Sequence, residues 1–362
     1  MRVLFATTRG AGHFGPLVPF AHACRRAGHD VVVAGPPSVA PLVARAGLSF
    51  LPVPEAPADA VDAAFAPVWS QTATVDHVVR DLFIGLHART ALPGMLAAVA
   101  QWRPAVVVRE TMEFASALAA ERHGVPQARV GIHLASHVDG DGMLEELAAS
   151  ALGVEPDVLR GSPLLTRSPA SLNDPAEAVL RFRTDAAAPR PDHGEPLVYV
   201  SFGSEAPVSE HFPGVYRRAI DALAELPVRA LVTIGDRRDP AELGPLPCSV
   251  RVERWVAQAE VMPRAAAMVS HGGSGSTLSA LAAGVPQAFV PLFVDGPTNA
   301  ARVAATGAGI VADDLAADVR RLLDDPSHRY AAQAIADEIR ALPPVDDAVA
   351  VIEHASLAMC PR

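Results

Sequence analysis

The chain has 362 residues, half of them hydrophobic, with a formal charge of −10 and no lysine. Its length passes the ~250–300 residues at which single cores stop growing, so two domains are expected. The acidic balance argues against nucleic acid or an anionic membrane as partner, and without lysine no Walker-type phosphate loop can be built. Cys24, Cys248 and Cys360 are far apart and odd in number, as suits reduced thiols rather than a disulfide framework or zinc site.

In chain order, Val3-Leu4-Phe5-Ala6 is a short apolar run ending in Thr7 and Thr8. Gly10-Ala11-Gly12-His13-Phe14-Gly15-Pro16 then turns the chain into a helix that Gly28 ends. A strand at Val31 to Ala34, a helix around Val39 to Ala46 and a strand before Pro52 continue a parallel α/β pattern. Pro54 to Pro67 lacks periodicity and reads as a surface loop at the open end of the sheet, where loops carry specificity. A long helical region leads to a strand at Ala105 to Val108, a helix at Phe114 to His123 capped by Gly124, and a strand at Gln127 to Gly131. Gly131 to Pro175 reads as less regular. Its His133 and His137 fit solvent or packing roles, with an acceptor pocket as the alternative.

Thr184 to Pro196 is proline-rich and aperiodic and is read as a linker, giving domains at 1–190 and 195–342 and a last segment at 343–362. The second domain opens with a strand at Leu197 to Val200, then a helix at Gly214 to Glu225 and a strand at Val228 to Ile234. Helices near Leu315 to Leu323 and His328 to Ala341 close it, and Pro343-Pro344 breaks the chain before one more helix. Val3 to Ala6 is too short for a secretory signal. The uncharged run Ala265 to Val294 holds too many glycines and prolines to span a bilayer, so a soluble, cytoplasmic protein with no membrane span is expected.

Within that run, Met268-Val269-Ser270 ends a strand, His271-Gly272-Gly273-Ser274-Gly275-Ser276-Thr277 follows, and a helix runs to Gly284. Backbone N–H groups at such a helix start form an anion site, to which Ser274, Ser276 and Thr277 add hydroxyls. Gly10 to Gly15 matches the GxGxxG spacing of a dinucleotide fold. Yet Val33-Ala34-Gly35-Pro36 offers no acid at the end of the second strand to hold an adenosine ribose, so NAD is disfavoured. His13, at the cleft end of the first strand, carries an imidazole that titrates near the operating pH and suits a general base.

Trp255 with Gln258, His271-Gly272-Gly273, Gly284-Val285-Pro286-Gln287, Pro291, Asp295 and Asn299 together resemble the signature of nucleotide-sugar glycosyltransferases acting on small molecules. The resemblance implies a GT-B fold: two Rossmann-like α/β domains facing across a cleft, with a C-terminal helix crossing back to the first. It implies an inverting, metal-independent transfer from a nucleoside diphosphate sugar, without a cofactor, to a hydroxyl on an apolar natural product. By the same resemblance His13 is the base and Glu110 stands where the family carries the histidine's acidic partner, with Glu113 the rival. Trp255 and Gln258 would hold the base. His271, the N–H groups of Gly273, Ser274, Gly275 and Ser276, and the side chains of Ser201 and Ser204 would hold the diphosphate, and Asp295 and Asn299 belong to the same donor site.

Two departures carry expectations. Gly296 follows Asp295 where the family commonly has glutamine, which implies a weaker demand for a fully hydroxylated sugar; Ser279 stands where uridine-using plant members carry an acid, which implies that thymidine diphosphate binds at least as well as uridine diphosphate. A nucleotide-sugar epimerase of the same fold and a non-catalytic sugar-nucleotide-binding protein are the alternative functions. The oligomeric state is open, a dimer being one option.

Overall fold

The computed structural model describes residues 1–70, 72–74, 77–134, 143–172, 179–184 and 194–357. Its chain divides into two compact units, one of Met1–Ser168, Asp174–Thr184 and Leu342–Arg362, the other of Pro169–Asn173 and Asp185–Ala341. Most of the expected linker, and His137, lie outside the described residues.

The first unit is built on β1 (Arg2–Ala6), β2 (Asp30–Gly35), β3 (Ser49–Pro52), β4 (Val106–Glu110), β5 (Gln127–Val130), β6 (Leu164–Thr166) and β7 (Val179–Arg181). They form one parallel sheet in the order β3-β2-β1-β4-β5-β6-β7. Successive side chains of a strand face opposite ways, and here both faces are covered. Val3, Phe5, Val106 and Val108 enter one core cluster, whereas Leu4, Ala6 and Val107 enter another. That is why the strands read as unbroken apolar runs.

The first cluster is closed by the Ala348–Leu357 helix, through Ala348, Val349, Ile352 and Ala355 packed with Leu17, Phe20 and Cys24 of the Ala11–Arg26 helix. The second is closed by the helical run His77–Trp102, a π-helix to Ala88 followed by an α-helix. Among the described residues this run alone is long and apolar enough to cross a bilayer. Its Val79, Leu82, Phe83, Ile84, Met95 and Val99 are buried in the second cluster, so one face of the run is core.

Two loop expectations are overturned. Pro54 to Pro67 is mostly helix, Ala58–Trp69, because its alanine-rich sequence outweighs Pro67 in the last turn, and Pro57 precedes the first turn, where a missing N–H costs nothing. The stretch after Gly131 contains the helices Met143–Leu152 and Pro156–Arg160 and then β6.

The second unit carries β8 (Leu197–Ser201), β9 (Arg229–Thr233), β10 (Val250–Glu253), β11 (Ala265–Ser270), β12 (Gln287–Phe289) and β13 (Gly309–Val311) in the parallel order β10-β9-β8-β11-β12-β13. Strand order therefore reverses between β1 and β4 in one sheet and between β8 and β11 in the other. Such reversals open a crevice at the carboxyl ends of the strands, where ligands bind in folds of this kind.

Ile352 is fully buried in the first core. Ile352→Ala is expected to destabilise the first unit by about 2–5 kcal/mol, read from urea unfolding.

Candidate active site

At the first reversal point, Gly10 takes a φ of 95°, a backbone state that favours glycine, and the helix starts at Ala11. His13 thus sits in the first helical turn rather than in the preceding turn as the glycines suggested. Burial of Phe14, Leu17 and Phe20 draws the helix forward over the local glycine signal.

Across from it, Glu110 ends β4 with its side chain fully buried, and His13 Nδ1 lies 2.9 Å from Glu110 Oε1. Thr8 donates its hydroxyl to the same oxygen at 2.8 Å, and the Met112 N–H donates to Oε2 at 2.6 Å. Burial alone would push this carboxyl up, but the His13 charge and the bonds from His13, Thr8 and Met112 outweigh it and hold the pKa below the usual range. A buried carboxylate bonded to Nδ1 orients the ring and stabilises its protonated form, while the His13 side chain stays 22% exposed.

Glu113 does a different job. Its two oxygens accept from the N–H groups of Ala115 and Ser116, at 3.1 and 2.9 Å, where the Ala115–His123 helix begins. Burial raises its pKa, with the Ser116 bonds opposing. Capping is therefore the role of Glu113, and the ion pair with His13 that of Glu110.

Three neighbours escaped the sequence reading. Thr8 lies 102 residues from Glu110 and meets it only because β1 pairs with β4. Arg109, wholly buried, donates to the carbonyls of Glu110, Thr111 and Glu113 and so braces the loop that follows β4. Its signal was a charge closing a run of valines. Phe83 lies against the His13 ring at 5.3 Å and against His87 at 5.8 Å, and burial, with the charges of Arg9 and His13, pulls His87 down to about 4, so His87 is neutral near pH 7.

At the second reversal point, Ser201 and Ser270 end the paired strands β8 and β11. The His271 ring lies between Gly203 and Gly273, and a β-carbon on either glycine would overlap it. Burial lowers its pKa, with Asp295 and the Ser201 carbonyl opposing. The Ser274–Ala282 helix has Gly273 as N-cap and no side-chain cap; its first helical bond is Thr277 N–H to the Gly273 carbonyl. The N–H groups of Ser274, Gly275 and Ser276 precede that bond at the positive end of the helix.

The side chains depart from expectation. Ser274 donates to Asp295 Oδ2 at 2.6 Å, and buried Asn299 donates to the same oxygen and to the Gly272 carbonyl, each at 2.8 Å. Ser274 and Asn299 therefore fix Asp295 and the glycine loop. Gln258 donates to the Ser276 hydroxyl at 3.1 Å, Thr277 is fully buried on the core side, and Ser204 is exposed and donates to Glu205. Trp255, two residues past β10, is 54% exposed, as a stacking surface requires. Among the described residues no cluster of three or more His, Cys, Asp or Glu side chains could hold a metal ion.

Two parallel sheets, each with polar groups gathered at its reversal point, define an α/β protein of GT-B architecture. The N- and C-terminal domain models of the erythromycin biosynthesis protein CIII-like family match residues 22–151 and 217–354. L-demethylnoviosyl transferase of Streptomyces niveus is 34% identical over 93% of this chain and 94% of its own, and the elloramycin glycosyltransferase ElmGT of Streptomyces olivaceus is 32% identical over 98% and 97%. The glycosyltransferase SsfS6 of Streptomyces sp. SF2575, solved in complex with thymidine diphosphate, is 25% identical and covers 98% of this chain and 99% of its own at a TM-score of 0.77. The chain belongs to the erythromycin biosynthesis protein CIII-like family of glycosyltransferases.

The two glutamates are expected to act on stability in opposite senses. A depressed carboxyl contributes stability that is present above its unfolded pKa, about 4.3, and lost as pH falls through the folded value; a raised one costs stability at neutral pH, and the cost is relieved on acidification. Glu110→Gln should thus flatten the acid loss of stability and Glu113→Gln steepen it, measured by thermal unfolding from pH 7 to 3.

Proposed function

We propose that the enzyme transfers a sugar from a thymidine or uridine diphosphate sugar to a hydroxyl of an apolar natural product, with inversion and without a metal or other cofactor. The observation that carries this reading is the His13–Glu110 pair at the first reversal point. His13 takes the proton of the acceptor hydroxyl, and Glu110 supports the imidazolium that forms. The acceptor oxygen attacks the anomeric carbon from the face opposite the diphosphate, whose bond to the sugar breaks. Negative charge growing on that diphosphate meets the Ser274, Gly275 and Ser276 N–H groups, donors aimed beforehand at the leaving group. The exposed face of Trp255 would stack the base. The reaction belongs in the cytoplasm, where nucleotide sugars are made.

The nucleotide reading rests on Ser279, half-buried in the Ser274–Ala282 helix, and on the thymidine diphosphate complex of the relative SsfS6. A serine there gives up a charged bond to a ribose 2′-hydroxyl, worth ~1.5–3 kcal/mol, which deoxyribose never makes.

His13→Ala should cut turnover ~10²–10⁴-fold in a donor-by-acceptor screen while thymidine diphosphate binds as before, and Glu110→Gln should follow with a smaller loss. Near-normal turnover of His13→Ala sinks the mechanism. Sensitivity of the untouched enzyme to EDTA sinks metal independence, and donor turnover without acceptor points to an epimerase. In titration calorimetry thymidine diphosphate is expected to bind at least as tightly as uridine diphosphate, and Ser279→Glu to shift the balance toward uridine; clear uridine selectivity in the unmodified protein would refute the ribose argument alone.

A further inference from the structure

The loop after β12 contains a residue whose backbone is wrong for its side chain. Gly296 N–H donates to the Phe293 carbonyl at 3.1 Å, closing a four-residue turn. Val294 has a φ of 55° and Asp295 a φ of −82° and ψ of −10°. These angles match a type II′ turn, whose first central position favours glycine. A β-branched residue is an outlier in left-handed backbone, and such strain persists only where surrounding structure over-determines it.

The surroundings here do so. The Phe293 ring is held by His271 at 5.6 Å and His211 at 5.8 Å. The Asp295 carboxylate is pinned by Ser274 and Asn299. Gly296 packs so closely that a β-carbon would overlap the His271 carbonyl, so no side chain fits there. With three corners fixed, the turn presents one exposed apolar residue, Val294, 59% exposed, beside a fixed carboxylate acceptor.

We propose that Val294 is a specificity-determining contact for the transferred sugar, setting an apolar surface against its C–H or methyl edge while Asp295 accepts from a neighbouring hydroxyl. This rests on the donor site proposed above. A hexose hydroxyl facing the isopropyl group would lose its water and gain no partner, so the site discriminates against it. The strain at Val294 is the stability cost of holding the group in place.

Val294→Gly separates the two effects. It should raise the melting temperature by about 1–4 °C by relieving the turn. Discrimination in kcat/KM between a deoxyhexose and glucose, both carried on thymidine diphosphate, should fall roughly 10-fold. The KM of the deoxyhexose donor should rise while thymidine diphosphate alone binds as before. Val294→Asn, which tolerates the same backbone but is polar, should move preference further toward glucose. A melting temperature that rises with discrimination unmoved in both variants overturns the proposal, as does one that falls on Val294→Gly. If the unmodified enzyme binds thymidine diphosphate yet transfers no sugar, the functional reading fails and this inference with it; transfer with unmoved discrimination removes Val294 alone.

Discussion

The site in the first unit depends on one buried carboxylate. Glu110 has no solvent exposure, and an ionised acid in that position is tolerable only if its oxygens are filled with donors. The fold supplies them from three places: His13 on a helix, Thr8 at the end of β1 and the Met112 N–H past the end of β4. The first two depend on the pairing of β1 with β4, whereas the Met112 N–H is local to Glu110, so the contact between the charge and the histidine it orients is a product of sheet topology.

The second site is organised by close approach instead of charge. Gly203 and Gly273 flank His271 so tightly that a β-carbon would overlap the ring, and Gly272 adopts a φ of 88° against the backbone of Gly296. Glycine is demanded by space and by dihedral together at Gly203 and Gly272, and by space alone at Gly273. The polar side chains around them then fix one another: Asn299 ties the Gly272 carbonyl to Asp295, and Ser274 ties Asp295 to the helix start. Donors left facing outward are mostly main-chain ones, which do not reorganise when charge develops.

How much of this was legible follows from which interactions are local. The apolar strand runs, the Gly124 and Gly284 stops and the break at Pro343-Pro344 announce themselves within a few residues, and the structure has strands, helix ends and a final helix there. His13, Trp255 and Asp295 were singled out in the sequence by a resemblance, and the structure puts His13 at the first reversal point and Asp295 against the Ser274 hydroxyl. Thr8 was not, because its role exists only once β1 and β4 are side by side, nor was Arg109, whose acceptors are the carbonyls of a loop that forms only when the chain folds back after β4. The Ala58–Trp69 helix was hidden by prolines that suppress a helix signal in sequence, though Pro57 only caps the helix and Pro67 falls in its last turn. Committed hydroxyls, such as Ser274 on Asp295, were misread because a serine in a glycine-rich turn looks the same whether it faces a ligand or its own loop.

The absence of lysine gains meaning from where the arginines are used. Arg109 and Arg129 brace backbone carbonyls in the first unit, and Arg217, Arg302 and Arg329 do the same in the second. A planar group with five donors can satisfy several carbonyls at once, which an ammonium on a flexible stem does less well. Cations so committed hold loops and helix ends still. On the proposed reading, an anion at the second site would be met by the dipole of the Ser274–Ala282 helix, a partial charge of roughly one half that needs no counter-ion when the site is empty. In the proposed reaction such a terminus would favour a diphosphate that gains charge during bond cleavage while keeping the resting site easy to vacate, the balance a transferase needs between stabilising its leaving group and releasing it.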